Sequence, residues 1–263
     1  MNSPELEELT RQALSKAALW LFLDYDGTLA DFAPTPEDII PVPQVVDLLE
    51  RLAAKAAVRL TVLSGRRLAD LRSLLPVPGI FLAGTYGIEL QLPTGELVQR
   101  ENYDSLRPFL EMVKPKWIEI VSGRAGFFLE DKGWALALHA RFSEDREAEK
   151  VLALAREIVE RSLPAERFRI LGGHKFLEVA PVIAHKGETV YYLLDRYPLP
   201  GAQVLYIGDD DKDEEAFEAI HARGGIAVKV ASSSRPSQPT EARYVLDSPS
   251  AVSSWLETLL ARL

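Results

Sequence analysis

Two apolar strands, each ending in a run of aspartates, constrain this chain more than any other feature. Ala18-Leu19-Trp20-Leu21-Phe22-Leu23 is apolar at every position and stops at Asp24-Tyr25-Asp26-Gly27-Thr28. Leu205-Tyr206-Ile207-Gly208 stops at Asp209-Asp210-Asp211-Lys212-Asp213-Glu214. A strand without polar alternation has both faces covered, which is the habit of parallel sheets wrapped by helices. The surrounding pattern agrees. A helix with Val45, Leu48, Leu49 and Leu52 on one face precedes a strand over 59–63, then a helix over 68–75 and a strand over 79–83. This β-α-β-α-β series predicts an α/β core.

The rhythm changes in the middle of the chain. Strands over 127–129 and 134–139 flank the turn Glu130-Asp131-Lys132-Gly133, with Trp134, Leu136 and Leu138 alternating against Ala135, Ala137 and His139. A helix with Val151, Leu154, Ala155 and Ile158 on one face follows, then strands over 168–171 and 176–179. With a helix over 106–120 before it, this block is α+β, and we expect it as a domain at 104–182 inserted into a core of 1–103 and 183–263. The core resumes with a helix over 186–197, strands over 204–207 and 226–229, and a last helix bearing Val252, Trp255, Leu256 and Leu259. A polar helix within 3–16, a proline-rich extended stretch over 31–43 and a Ser/Pro-rich surface loop over 231–240 complete the reading.

Composition narrows the class. With 47% hydrophobic and 26% charged residues the chain is an ordinary globular protein, and its net charge of −9 argues against a nucleic-acid partner. The absence of cysteine excludes disulfides, thiolate metal sites and cysteine nucleophiles. The apolar run from Ala17 to Leu23 is far shorter than the about 20 residues of a membrane span, and no signal-peptide cleavage pattern flanks it. We expect a soluble, cytoplasmic protein that does not engage membranes.

Ligands of open α/β sheets bind beyond the carboxyl ends of the strands, where both aspartate clusters lie. Two carboxylates at about 4 Å repel by about 4 kcal/mol at an effective dielectric of about 20, so their convergence calls for a cation. An all-oxygen site suits magnesium. Either cluster alone also reads as an acidic helix cap.

These residues resemble the haloacid dehalogenase superfamily of phosphohydrolases. Leu23-Asp24-Tyr25-Asp26-Gly27-Thr28-Leu29 is similar to its first motif, Leu63-Ser64-Gly65-Arg66 to its second, His185-Lys186-Gly187 to its third and Gly208 to Asp213 to its fourth. Glu130 to Gly133, Leu138 to Arg141, Gly208 to Phe217, Gly224 to Val230 and Trp255-Leu256 resemble trehalose-6-phosphate phosphatases in particular. The resemblance runs from about Leu19 onward. It implies a Rossmann-like core of haloacid dehalogenase type, an inserted α+β cap that chooses the sugar, and magnesium-dependent hydrolysis of trehalose 6-phosphate through an aspartyl phosphate. A functional coupling to a trehalose-6-phosphate synthase goes with it. The same chemistry on glucosylglycerol phosphate, glucosyl-3-phosphoglycerate or sucrose phosphate stays open, as do a phosphomutase and a silent sugar-phosphate sensor.

The resemblance implies roles residue by residue. Asp24 is the nucleophile and Asp26 the general acid and base. Asp24, the Asp26 backbone carbonyl and Asp209 hold the metal, with Asp210 and Asp213 in supporting or water-bridged positions. Ser64 donates to the phosphoryl group and Lys186 neutralises it, while Thr28 and Gly65 line the substrate and Arg66 is structural. Glu130, Lys132 and Glu178 meet the distal glucose. Read singly, Ser64 is a turn residue, Lys186 a helix-start lysine, and the three cap residues a charged turn and an exposed strand position. His139 reads as structural, and Lys175 has no assigned role. The chain departs from the family pattern at Tyr86-Gly87, where His-Gly is usual, at Ala180, where Arg or Lys is common, and at His185, where Asp, Asn or Ser is common and the change is expected to be without effect.

Overall fold

A computed structural model describes residues 3–31, 40–231 and 239–263. Residues 32–39 of the proline-rich stretch and 232–238 of the Ser/Pro-rich loop lie outside the described residues. Two compact units result, Met1–Val98 with His185–Leu263, and Gln99–Ala184. No helix among the described residues is long and apolar enough to cross a membrane.

The first unit is built on an eight-stranded sheet. Its strands are β1 (Ala18–Leu23), β2 (Val58–Leu63), β3 (Phe81–Gly84), β4 (Glu89–Gln91), β5 (Leu97–Gln99), β10 (Ala202–Gly208), β11 (Ile226–Val230) and β12 (Tyr244–Leu246), in spatial order β12-β11-β10-β1-β2-β3-β4-β5. The strands from β12 to β3 pair parallel, and β4 turns back antiparallel on β3. Side chains on alternate positions enter two cores. Leu19, Leu21, Leu23, Val62, Leu205 and Ile207 pack on one face with α2 (Pro43–Ala53) and α8 (Pro249–Leu260). Trp20, Phe22, Leu63, Tyr206 and Phe217 pack on the other, where α6 (Lys186–Arg196) and α7 (Asp211–Ala222) lie. Each fully buried Leu or Phe contributes about 1.5–3 kcal/mol, so covering both faces accounts for the uniformly apolar strands. The remaining helices of this unit are α1 (Ser3–Ala13) and α3 (Leu68–Leu74).

The second unit is a four-stranded antiparallel sheet in the order β6-β7-β9-β8, from β6 (Phe128–Asp131), β7 (Leu136–His139), β8 (Phe168–Gly173) and β9 (Phe176–Pro181). Helices α4 (Tyr103–Val121) and α5 (Asp145–Ser162) belong to it, joined where the Trp117 indole N–H donates to Ala155 O at 3.1 Å.

Three details differ from the sequence reading. Glu130 is a strand residue, because β6 runs on through Asp131 and the turn closes later, with Lys132 N–H donating to Ala135 O at 2.9 Å. Leu154 is exposed, and the buried stripe of α5 is Ala148, Val151, Ala155 and Val159. Strands β4, β5 and β12 went unread because each has only three residues, too few for a period to register.

Candidate active site

Strand register brings the two acidic clusters together. Leu23 lies opposite Ile207 in the β1–β10 pair, and Asp24 N–H donates to Ile207 O at 2.9 Å. Asp24 and Gly208 therefore leave the sheet at the same end, and Asp209 follows. On the other side of β1, Ser64 leaves β2 with its N–H on Ala83 O at 2.9 Å.

Asp24, Asp209 and Asp213 are all buried, and one carboxyl oxygen from each lies within 4.8 Å of the others. Lys186 enters among them from the first position of α6, its Nζ 3.0 Å from Asp24 Oδ1 and 2.6 Å from Asp213 Oδ1. The His185 side chain caps that helix by accepting from Glu188 N–H at 3.3 Å. It does the work that Ser, Asp or Asn does at most helix starts.

Both oxygens of Asp213 are engaged within the protein. Its Oδ1 accepts from Lys186 and from the Tyr206 hydroxyl, both at 2.6 Å, and its Oδ2 accepts from the backbone N–H groups of Asp209 at 3.0 Å and Asp210 at 2.9 Å. Two donors on each oxygen fill its lone pairs. Gly208 makes the fit possible, since a Cβ there would meet the Asp213 carboxyl carbon at 2.3 Å. Asp210 is the N-cap of α7 and is held by Lys212 at 3.0 Å.

The electrostatics follow from this packing. Burial pushes the Asp24 carboxyl well above its ordinary range; Lys186 opposes that, while Asp213, Asp209 and Asp26 add to it. Burial by itself would lower the Lys186 ammonium, but the carboxylates of Asp213 and Asp24 outweigh it and hold the group above its ordinary value. Three carboxylates against one ammonium leave a surplus of negative charge in a dry site. A hard divalent cation matches that donor set, so the residues fit magnesium.

The Asp26 carboxylate stands outside this cluster, paired with Arg66. Ser64 is buried, and its Oγ accepts from Arg66 N–H at 3.2 Å, which leaves the hydroxyl hydrogen to donate elsewhere. Thr28 is buried, its hydroxyl without a hydrogen-bond partner among the described residues. Gly65 packs beneath the Tyr86 ring.

In the second unit, Glu130, Ala137 and Glu178 are cross-strand neighbours in one row of the sheet. Lys132 Nζ donates to Glu178 Oε2 at 3.1 Å, with Glu178 fully buried. Glu130 Oε2 lies 2.9 Å from His139 Nε2, and the His139 ring sits between Phe128 and Phe176. On the alternate side, Asp131 is gripped by Arg107 at 2.7 and 2.6 Å and by Lys114 at 2.7 Å, which holds its carboxyl far below the usual range, Arg107 contributing most. Lys175 bonds Ser143 O and the Asp145 carboxylate, both at 2.6 Å, so it ties the β8–β9 turn to the start of α5. The sequence reading missed the anchor formed by Tyr206 and Asp213 and the fork between Arg66 and Asp26. Their partners are distant in sequence, and no spacing rule signals them.

Comparison with known proteins adds independent findings. The family model described as trehalose-phosphatase matches residues 22–250. The trehalose-phosphate phosphatase of Mycobacterium leprae (strain TN) is 32% identical over 253 residues, covering 92% of this chain and 58% of that protein. The chain spans about three-fifths of the length of the first curated relatives it matches. The C-terminal domain of Candida albicans trehalose-6-phosphate phosphatase shares the fold, with a TM-score of 0.85 at 21% identity over 100% of this chain and 98% of that one. A crystal structure of the Aspergillus fumigatus trehalose-6-phosphate phosphatase gives a TM-score of 0.69 at 26% identity, with 98% of each chain covered.

Proposed function

Since this chain belongs to the trehalose-phosphatase family, we propose that it hydrolyses trehalose 6-phosphate to trehalose and phosphate through an aspartyl phosphate, with magnesium. The observation that carries the chemistry is the convergence of Asp24, Asp209 and Lys186 at the ends of β1 and β10. In this reading an Asp24 carboxylate oxygen bonds to phosphorus while the bond from phosphorus to the sugar oxygen breaks. The Asp26 carboxyl gives its proton to that departing oxygen. A water then attacks phosphorus and yields its proton to Asp26, and Asp24 leaves as a carboxylate. Ser64 and the backbone around Thr28 and Gly65 donate to the phosphoryl oxygens, and Lys186 balances their charge. Magnesium, held by the carboxylates of Asp24 and Asp209 and the backbone carbonyl of Asp26, would neutralise the paired acids and polarise the phosphoryl group. Asp213 and Asp210 hold the loop that carries Asp209.

The Gln99–Ala184 unit supplies sugar recognition in this proposal, through Glu130, Lys132 and Glu178. Charged groups that are already paired present both donors and acceptors, which suits sugar hydroxyls. The reaction belongs to the cytoplasm, where a trehalose-6-phosphate synthase would supply the substrate. Phosphate release across a panel of trehalose, sucrose, glucosylglycerol and glucosyl-3-phosphoglycerate phosphates, with magnesium and with chelator, tests the proposal. We expect trehalose 6-phosphate to be preferred and chelator to stop turnover. Preference for another ester overturns the substrate, and release that continues in chelator overturns the metal.

A further inference from the structure

Arg66 is fixed through both its side chain and its backbone. Its Nε donates to Asp26 Oδ2 at 2.7 Å and its Nη2 to Asp26 Oδ1 at 2.8 Å, a fork that engages both carboxyl oxygens. Both side chains are largely buried, at 14% and 23% exposure. The loop bearing Arg66 is fixed in turn by strained backbone after β3. Thr85 and Tyr86 are both left-handed, with φ of 47° and 57°, a conformation costly for residues that carry a Cβ. From it, Thr85 N–H donates to Arg66 O at 2.6 Å and Tyr86 N–H to Ser64 O at 2.9 Å. The Tyr86 ring covers Gly65 so closely that a Cβ there would lie 2.7 Å from the phenol oxygen. Strain of this kind persists only where the surroundings over-determine it.

We propose that Arg66 is a positioning residue that holds the Asp26 carboxyl in line for proton transfer to the departing oxygen, with the Thr85–Tyr86 turn setting the loop that carries it. The inference rests on the reading of Asp26 as the proton donor. The transfer uses one carboxyl oxygen: its O–H bond breaks, the proton goes to the bridging oxygen, and the bond from that oxygen to phosphorus breaks. The two-armed fork holds the carboxylate form; when one oxygen carries the proton, the guanidinium contact to the other oxygen keeps the group in register. A sugar oxygen leaves as a strongly basic alkoxide unless it is protonated, whereas para-nitrophenolate is stable without a proton. Misplacing Asp26 therefore slows expulsion of a sugar oxygen while sparing expulsion of para-nitrophenolate, and the later hydrolysis of the aspartyl phosphate, which also uses Asp26, is slowed alike for both esters.

The test measures the single-turnover rate of leaving-group release, trehalose or para-nitrophenolate, which reports the first step alone, together with KM, for Arg66→Gln, Arg66→Lys, Asp26→Asn and the double variant Asp26→Asn/Arg66→Gln. A misplaced reacting group costs about 10²-fold, so Arg66→Gln should lower the rate of trehalose release by about that factor and the rate of para-nitrophenolate release by less than about fivefold. KM should hold steady on both, Arg66→Lys should recover part of the loss, and the double variant should be no worse than Asp26→Asn alone. Should Arg66→Gln fail to fold, Arg66→Lys carries the same comparison of the two esters. Equal losses on both esters, a gain on the sugar phosphate, or additive losses in the double variant overturn the role of Arg66. If Asp26→Asn itself fails to distinguish the esters, the reading of Asp26 falls and this inference with it. Selective loss in Asp26→Asn with unselective loss in Arg66→Gln defeats only the inference.

Discussion

Each unit of this protein buries a lysine against carboxylates, and the two settings differ in their charge balance. In the core, Lys186 meets Asp24 at 3.0 Å and Asp213 at 2.6 Å, with Asp209 beside them, so negative charge is in excess. In the inserted unit, Lys132 Nζ lies 3.1 Å from a carboxylate oxygen of the buried Glu178. An excess of buried carboxylates calls for a further cation or a proton, whereas a lysine held on a carboxylate offers polar atoms to a neutral ligand. The contrast teaches that the first arrangement suits phosphoryl chemistry and the second suits hydroxyl recognition.

Asp24→Asn should produce the largest change. Removing the nucleophile should cut turnover about 10⁴-fold or more on both a sugar phosphate and an aryl phosphate. The melting temperature should stay near that of the wild type, because the replacement is nearly isosteric. Turnover within tenfold of wild type, followed by phosphate release, would remove Asp24 from the mechanism.

Replacing either lysine should separate the two units. Lys186→Met and Lys132→Met each strand buried carboxylate charge and should each cost about 3–5 kcal/mol at neutral pH. Added magnesium should restore much of the loss for Lys186→Met, since the cation takes over part of the missing charge, and little for Lys132→Met. Urea denaturation with and without magnesium reads both. Equal rescue of the two variants would erase the distinction between the units.

A smaller effect is expected at Asp131, whose carboxyl is held low by Arg107 first and also by Lys114. A group depressed on folding stabilises the protein above its ordinary value, and that contribution disappears as the pH falls through its folded value. Asp131→Asn should therefore cost about 1–2 kcal/mol at neutral pH. The gap from wild type should narrow below about pH 4. Urea midpoints along an acid series check it, and a gap that widens on acidification would contradict it.

Much of this was legible in the sequence, for physical reasons. Strands β1 and β10 declared themselves because both their faces are buried, and the buried stripes of α2 and α8 fell on the residues their periodicity marked. Leu154 misled because an apolar residue beside a stripe is indistinguishable in sequence from one within it. At the candidate site the residue types could be read but not their partners. That Asp213 spends both oxygens on Tyr206, Lys186 and two backbone N–H groups depends on the register of β10 and the start of α7. The placement of Glu130 on β6 rather than in the turn likewise depends on where the hairpin closes.

We propose that the core performs chemistry on any phosphate ester while the inserted unit chooses the sugar. The most direct test is the ratio of kcat/KM on trehalose 6-phosphate to kcat/KM on para-nitrophenyl phosphate, compared between the wild type and Glu130→Gln. Glu130 serves better than Lys132 or Glu178 here, because its replacement leaves that buried pair intact. Losing one charged hydrogen bond to a hydroxyl costs about 1.5–3 kcal/mol, so the ratio should fall roughly ten- to a hundredfold through the disaccharide alone. An unchanged ratio, with both substrates untouched or both reduced together, would contradict the division of labour between the two units.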